Sequence, residues 1–506
     1  MNRNQRLVLV ASILGSFVAF LDVAVVNVAL PAIERDLGGG IAAQQWVVDA
    51  YLLTMGSLIL IAGSLSDLFG RKRVFVGGLV GFAATSLMCA VAPRADVLIV
   101  ARALQGVAGA LLVPSSLALI ISNFEGPAQG KAIGTWTAWT GIAFVLGPLA
   151  GGALIDAGSW RLVFAINVVP VAATLLVLAR TAREARPTEH TPVDFVGAAL
   201  CAVGLGGLIF ALIEEPSRGW GAPSIYLPLA GGLCALAAFL LYERATAHPM
   251  LDFALFRRRN FAFGNLATVA IYAALTAVTF LLTVFMQQVA GYSAIASGLA
   301  LVPVTLIMFV LSPVSGRLAG RHGPRLFMSA GPITAAVGFA LMTTMDAHAS
   351  YLTQVLPGLI VFGFGLAATV APLTTAILGD VDQRQAGIAS AINNAVARVA
   401  GLLAVAAVGA LVAARFGASI DRAAMSAPAL DPPAEAALAD AVRRPLETRI
   451  SAAGVPPDSR PRLEAMLQAA SVDAMHAALW AMAASLTLGG LISFVGIRNP
   501  SGAEKP

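Results

Sequence analysis

The chain has 506 residues, of which 58% are hydrophobic and only 12% charged, with a mean hydropathy of +0.83. A soluble domain carries about twice that share of charge, and the apolar runs are continuous rather than alternating, so soluble classes and β-barrels are both excluded. The net charge of +5 sits in short loops between apolar runs, where it orients a chain in the bilayer rather than binding nucleic acid.

Fourteen runs read as membrane-spanning helices, at 7–30, 44–66, 74–92, 97–121, 131–156, 161–179, 195–213, 225–242, 262–286, 297–318, 326–345, 351–378, 387–414 and 474–497. The first continues to about Leu30, longer than a secretory h-region, and is expected to remain as an uncleaved span. An even number of spans puts both termini on one side. Loops on that side, with the termini, hold about 19 basic residues, against about four in the opposite short loops. The expected topology is multi-pass in the cytoplasmic (inner) membrane with both termini cytoplasmic. Cys89, Cys201 and Cys234 all fall in apolar runs, so no disulfide framework is implied.

An internal repeat divides the chain. The segment from Gly63 to Lys72 has a degenerate echo from Gly316 to Arg325, an offset of 316 − 63 = 253. A weaker echo pairs Pro114 with Pro372 at nearly the same offset, 372 − 114 = 258. Two six-span bundles of parallel topology follow, 1–186 and 260–506, with 187–259 carrying two inserted spans. Between the last two spans, 415–473 is rich in Ala, Pro and charge and is expected to form a small external helical hairpin, with arms near Pro433–Ile450 and Arg460–Ala470.

Ionisable residues inside a span are expensive and mark function. Away from the span ends, Asp22, Asp49, Arg102 and Arg398 are the ones present. Helix rise puts Asp22 roughly 14 Å, and Asp49 and Arg102 roughly 8 Å, below the outer ends of their spans. Asn27, Gln105, Asn393 and Asn394 join Arg398 as candidate cavity residues. At the cytoplasmic mouth, Gly63 and Gly70 permit tight turning around Asp67, which precedes Arg71-Lys72-Arg73. A carboxylate there suits a latch on the positive end of a facing helix. In the fifth span, Gly141, Gly147, Pro148, Gly151 and Gly152 give a kinked helix with flat faces for close packing. No phosphate-binding loop, metal-ligand spacing or hydrolase elbow is present, so neither an enzyme nor a metal or cofactor is indicated.

Together these stretches resemble the fourteen-span drug:proton antiporter family of the major facilitator superfamily. The resemblance rests on Leu21-Asp22 with Asn27-Val28-Ala29-Leu30-Pro31, the Gly63–Arg73 loop, Arg102 with Gln105-Gly106, the Gly141–Gly152 stretch, and Ser159-Trp160-Arg161 with Ile166-Asn167-Val168-Val169-Pro170. It implies an all-α major facilitator fold whose halves rock around a central cavity, and a proton gradient in place of a cofactor. It also implies Asp22 as proton-coupling site, Arg102 as its relay partner, Asp67 as latch and Gly147-Pro148 as the exchange-related kink. Asp49 is the second proton-coupling candidate. Expected partners are a small amphipathic substrate, protons and the lipid bilayer, with the protein acting as a monomer; no external adaptor is named by the sequence. Broad drug efflux is the leading reading, and dedicated export of one metabolite or natural product the alternative. One departure stands out: Gly320 occupies the second-half position of Asp67, so the latch is expected on one half alone.

Overall fold

A computed structural model of the chain describes residues 1–499, apart from 125–127, 129–131, 133–134, 137–138, 141, 182–193, 247–248, 250–252, 380, 382–385, 427–430, 443, 449–455 and 457–458. Among the described residues there is helix and no strand. With no water in a bilayer to satisfy backbone groups, helices that bond within themselves are the form that long apolar runs take.

The first group of helices is α1 (Arg3–Leu37), α2 (Gly40–Phe69), α3 (Arg71–Ala90), α4 (Ala95–Asn123), α5 (Ala143–Asp156), α6 (Arg161–Ala165) and α7 (Val168–Ala179). A pair follows, α8 (Phe195–Arg218) and α9 (Pro223–Ala245). The second group is α10 (Arg259–Gln288), α11 (Ala294–Ala300), α12 (Val302–His322), α13 (Pro324–Met342), α14 (Leu356–Gly379), α15 (Ala386–Ser426), α16 (Pro432–Val442) and α17 (Arg460–Gly496). Twelve helices among the described residues are long and apolar enough to cross a membrane. The two other expected spans coincide with α2, of 30 residues, and with α5, of which 14 residues are described.

Helix starts and stops have local causes. At the start of α1, the Asn2 side chain accepts from the Gln5 N–H while the Gln5 side chain takes the Asn2 N–H. Gly70 separates α2 from α3 at φ 95°, and Gly323 separates α12 from α13 at φ 87°. Both are left-handed positions that a glycine enters without strain. They stand 323 − 70 = 253 residues apart, the offset of the sequence repeat.

The first and second groups each pack as a bundle, with α1 and α10 at their centres. Gln287 Nε2, near the end of α10, donates to Val28 O of α1 at 2.9 Å, so these two helices run in the same direction. The start of α10 meets the end of the chain, where Arg259 donates to Gly496 O at 2.9 Å. The start of α1 and the end of α17 therefore lie at one face, called here the terminal face, and the opposite face is the distal one. The α8–α9 pair closes tightly on itself, since a Cβ on Gly207 would stand 2.4 Å from Pro228 O. It rests against α2 and α15. Only 17% of the most apolar stretch of α9 is buried, which puts that helix at the lipid-facing periphery.

The segment 415–473 departs from expectation. Its second expected arm is the opening of α17, and its first 12 residues are the end of the 41-residue α15. Among the described residues of the segment α16 alone is a separate helix, and Leu446 beyond it takes φ 69°. The reason is local: no proline and a single glycine, Gly417, interrupt the helix-forming run 415–426. Asp473 on α17 holds Arg415 at 3.0 Å and Arg422 at 3.2 Å on α15, bracing the two extensions outside the bilayer.

Candidate functional site

The polar heart of the molecule lies inside the first bundle. Asp22 on α1 and Arg102 on α4 are fully buried, and Arg102 Nη1 meets Asp22 Oδ2 at 2.6 Å. Gln105, one turn along α4, donates to Asp22 Oδ1 at 3.0 Å and to Ser86 Oγ of α3 at 2.8 Å, and accepts from Arg102 Nη1 at 2.6 Å. Asn167, in the break between α6 and α7, donates to Asp22 Oδ1 at 2.8 Å. Arg102 Nε donates to Val47 O at 3.0 Å, and the guanidinium lies 4.3 Å from the centre of the Tyr51 ring on α2. Two charges this deep persist when paired and hydrogen-bonded, and here both Asp22 oxygens accept while Arg102 donates through Nε and Nη1. Gln105, expected to line a cavity, is instead wholly buried in this network. Asn167, Ser86 and Tyr51 are members that residue type alone did not single out; an Asn within an apolar run was the one available signal.

Asp49 is buried too, but elsewhere. At 100° per residue it lies about 160° around α2 from Tyr51. Its face is shared with Gln45, which donates to Val405 O of α15 at 2.8 Å, and with Leu53, whose Cδ2 would lie 3.5 Å from a Cβ on Gly206 of α8. Asp49 thus belongs to the seam of α2, α8 and α15 and not to the Asp22 network. Among the described residues, no group hydrogen-bonds either of its oxygens.

The glycine stretch of the fifth span packs in two directions. A Cβ on Gly147 would stand 2.4 Å from Ala24 Cβ, and one on Gly151 would stand 3.1 Å from Val25 O, both on α1. On the other side, a Cβ on Gly152 would fall 2.3 Å from Ile295 Cα, and one on Gly298 would fall 2.5 Å from Pro148 O. Small residues bring α5 against α1 within its own bundle and against α11 of the other. Gly141 lies outside the described residues. With Gln45–Val405 and Gln287–Val28, these contacts join the bundles in the distal half.

At the terminal face, Gly70 makes its turn and Arg71 Nη1 reaches Ala118 O of α4 at 3.5 Å. Gly63 and the Asp67 side chain lie outside the described residues. Of the remaining candidates, Asn27 donates to its own helix at Val23 O, 3.1 Å away. Asn393 donates to Asn265 Oδ1 and Thr268 Oγ1 of α10 at 3.1 and 2.8 Å, while Asn394 is exposed. Arg398, one turn further along α15, is half-buried with Nη1 3.5 Å from Met55 Sδ. Among the described residues, no group of three or more His, Cys, Asp or Glu side chains is placed to hold a metal.

Residues 12–405 match the family model of the Major Facilitator Superfamily. The chain belongs to that superfamily. Among its curated relatives, the multidrug resistance protein Stp of Mycobacterium tuberculosis is 35% identical over 88% of this chain and 81% of its own length. The puromycin resistance protein pur8 of Streptomyces alboniger is 35% identical over 79% and 80% of the two chains. The cephamycin export protein CmcT of Amycolatopsis lactamdurans is 35% identical over 76% and 80%. Among solved structures, a bacterial homologue of the human lysosomal transporter Spinster, inward-facing and unoccupied, superposes with a TM-score of 0.69 at 16% identity, over 99% of this chain and 100% of that one. That likeness concerns the fold. This major facilitator protein is a multi-pass membrane protein, and its buried ion pair sits on the first and fourth helices of the first bundle.

Proposed function

We propose that this protein is a proton-coupled exporter of small amphipathic compounds, working as a monomer in the cytoplasmic membrane with its terminal face in the cytoplasm. Residues 1–186 and 260–506 act as the two rocking bundles, and 187–259 as an inserted pair. The observation that carries the reading is the 2.6 Å pair of Asp22 and Arg102, sealed among Gln105, Asn167, Ser86 and Tyr51. An intramembrane carboxylate whose single charged partner is an arginine is a two-state element: protonation removes the charge that holds the pair together. Because α1 also carries the Gly147 and Gly151 contacts and the Gln287 bond to α10, loosening the pair bears on the distal closure between bundles. Proton entry and distal opening are thereby linked, and Arg102 serves as the relay partner.

Asp49 supplies a second proton-coupling candidate. A charge without partners is costly to bury, so any change of charge there is tied to a change of packing between α2, α8 and α15. At the terminal face, Asp67 serves as the latch toward the facing bundle. Antibiotic export and resistance are the roles the relatives' names carry, and CmcT's name favours the alternative of dedicated export of one natural product. The test is uptake of a panel of amphipathic dyes into inverted vesicles. Saturable uptake collapsed by a protonophore is expected; uptake that ignores the protonophore refutes proton coupling. A single accepted compound among many selects the dedicated exporter.

A further inference from the structure

The spans of the second bundle contain no carboxylate: no Asp or Glu occurs at 254–345, 347–379, 386–420 or 474–497. In the first bundle, Asp22 is neutralised by Arg102 and fully buried, and Asp49 lies at the seam of α2, α8 and α15. Asp49 and Arg398 are thus the two ionisable residues of the spans without an ion pair among the described residues, and Arg398 is the one carried by the second bundle. It stands 12 residues from the start of α15, roughly 18 Å along the helix axis. Among the described residues it has no ion pair. Its polar neighbour is Met55 Sδ at 3.5 Å, and the Tyr51 and Tyr272 hydroxyls of α2 and α10 lie nearby.

The surroundings of Arg398 suit a ligand. Asn394, one turn nearer the terminal face on the same side of α15, is exposed. Seven residues beyond Arg398, Val405 O is held by Gln45, and the bundles are in contact. Arg398 therefore stands on the terminal-face side of that contact, one turn from the exposed Asn394. Phe17, Phe20, Val23 and Asn27 fall on one side of α1 at spacings of three and four, and they are partly exposed although helices of both bundles pack around α1. A planar, permanently charged fork with no carboxylate to hold, set among apolar and aromatic groups, is matched by a carboxylate or phenolate on an apolar body.

From this juxtaposition we infer that Arg398 reads the charge of the transported compound, and that the substrates are amphipathic anions rather than lipophilic cations. The inference rests on the export reading above, which left substrate charge open. It makes Arg398 a specificity-determining residue: a bidentate bond orients the anion, and the aromatic stripe of α1 accepts the ring system.

A matched set of probes tests it: 2-naphthoxyacetate, its neutral amide, and 2-(2-naphthoxy)ethylamine. Binding to the purified full-length protein is expected to be at least tenfold tighter for the carboxylate than for the amide, and weakest for the amine. Arg398→Gln should erase the difference between carboxylate and amide. Arg398→Lys, which keeps the charge and loses the fork, should retain part of the preference and guards against a misfolded Gln variant. The wild-type order among the three probes needs no variant at all. Tightest binding of the amine, survival of the carboxylate preference in Arg398→Gln, or binding of none of the three would overturn the inference. Loading proteoliposomes with the same probes separates it from the export reading. Carboxylate preference without movement on a proton gradient defeats export and leaves the charge assignment standing. Gradient-driven movement of the amine without carboxylate preference does the reverse.

Discussion

The two bundles share a frame and differ in where they keep charge. Both turn at a glycine of positive φ, Gly70 and Gly323, at the same repeat offset. Inside the first, a carboxylate, a guanidinium, two amides and a hydroxyl form one closed network across α1, α3, α4 and Asn167. Inside the second, the polar contact between its central helix α10 and α15 is neutral: Asn393 with Asn265 and Thr268. A duplicated frame does not require duplicated chemistry. A neutral cluster positions helices and changes little with pH, whereas an ion pair is sensitive to a single proton. On the proposed export reading, coupling falls to the first bundle, and binding and movement to the second.

The hardest way to press that contrast is to remove half of the ion pair. Arg102→Ala leaves Asp22 buried with its amide partners alone and should destabilise the protein by about 3–5 kcal/mol, together with loss of export. Asn393→Ala in the second bundle removes neutral hydrogen bonds and should lower stability by only about 1 kcal/mol, with export retained. Thermal unfolding in detergent and transport in proteoliposomes read the two effects. The double change Asp22→Leu with Arg102→Met should recover most of the stability and none of the coupling, because no uncompensated charge remains. Equal losses for Arg102→Ala and Asn393→Ala would erase the distinction between the bundles.

How far the sequence led differs between these regions. The spans were legible because hydropathy measures the feature that puts a helix in lipid, and the depths of Asp22 and Arg102 followed from helix rise. The facing of Asp49 was harder to read. Its angle from Tyr51 is simple arithmetic, but which helices occupy that side of α2 depends on where the inserted pair docks. Gln105 misled because a polar residue in a span reads equally as cavity lining or as buried partner, and Asp22 decides which. The extensions of α15 and α17 were missed for another reason: hydropathy marks where lipid ends, and a helix of alanine and charged residues continues past that point. Ser86 and Asn167 carry small neutral side chains whose role is set by neighbours distant in sequence.

The join between the bundles can be broken next. Gly152→Val places a branched side chain where Ile295 Cα would be 2.3 Å from the new Cβ, so the distal closure has to part. Gly147→Val strains contact with Ala24 inside the first bundle instead, at 2.4 Å, and should destabilise by about 1–3 kcal/mol. Both should stop export, through different events. A cysteine placed at Val23 should become reactive to an impermeant reagent from the distal face in the Gly152 variant. Unchanged reactivity would mean that α5 and α11 do not hold the distal face shut. Gln45→Ala removes one hydrogen bond to Val405 O and should shift the same reactivity in the same direction, by about 1 kcal/mol or less.

The smallest expected effect concerns Asp346, the one acid at 254–379, which lies between α13 and α14 and outside the spans. The Gln354 side-chain amide, donating at 3.1 Å, and the His348 backbone N–H at 2.8 Å hold this carboxyl below its ordinary range. A carboxylate lowered in the folded state contributes stability that is fully present above its unfolded value, near about 4, and is lost as pH falls through the folded one. The protection factors of the amides across 346–354, exchange rates taken relative to the unfolded chain at the same pH, should therefore fall on acidification below about pH 4 in the wild type. Asp346→Asn should start from lower protection and respond less to pH. Export near neutral pH should be indistinguishable between the two, because Asp346 caps a turn and touches neither the ion pair nor Arg398. If Asp346→Asn instead altered the pH dependence of export, a carboxylate of the second bundle would take part in coupling. The division of labour between the bundles would then have to be redrawn around α14.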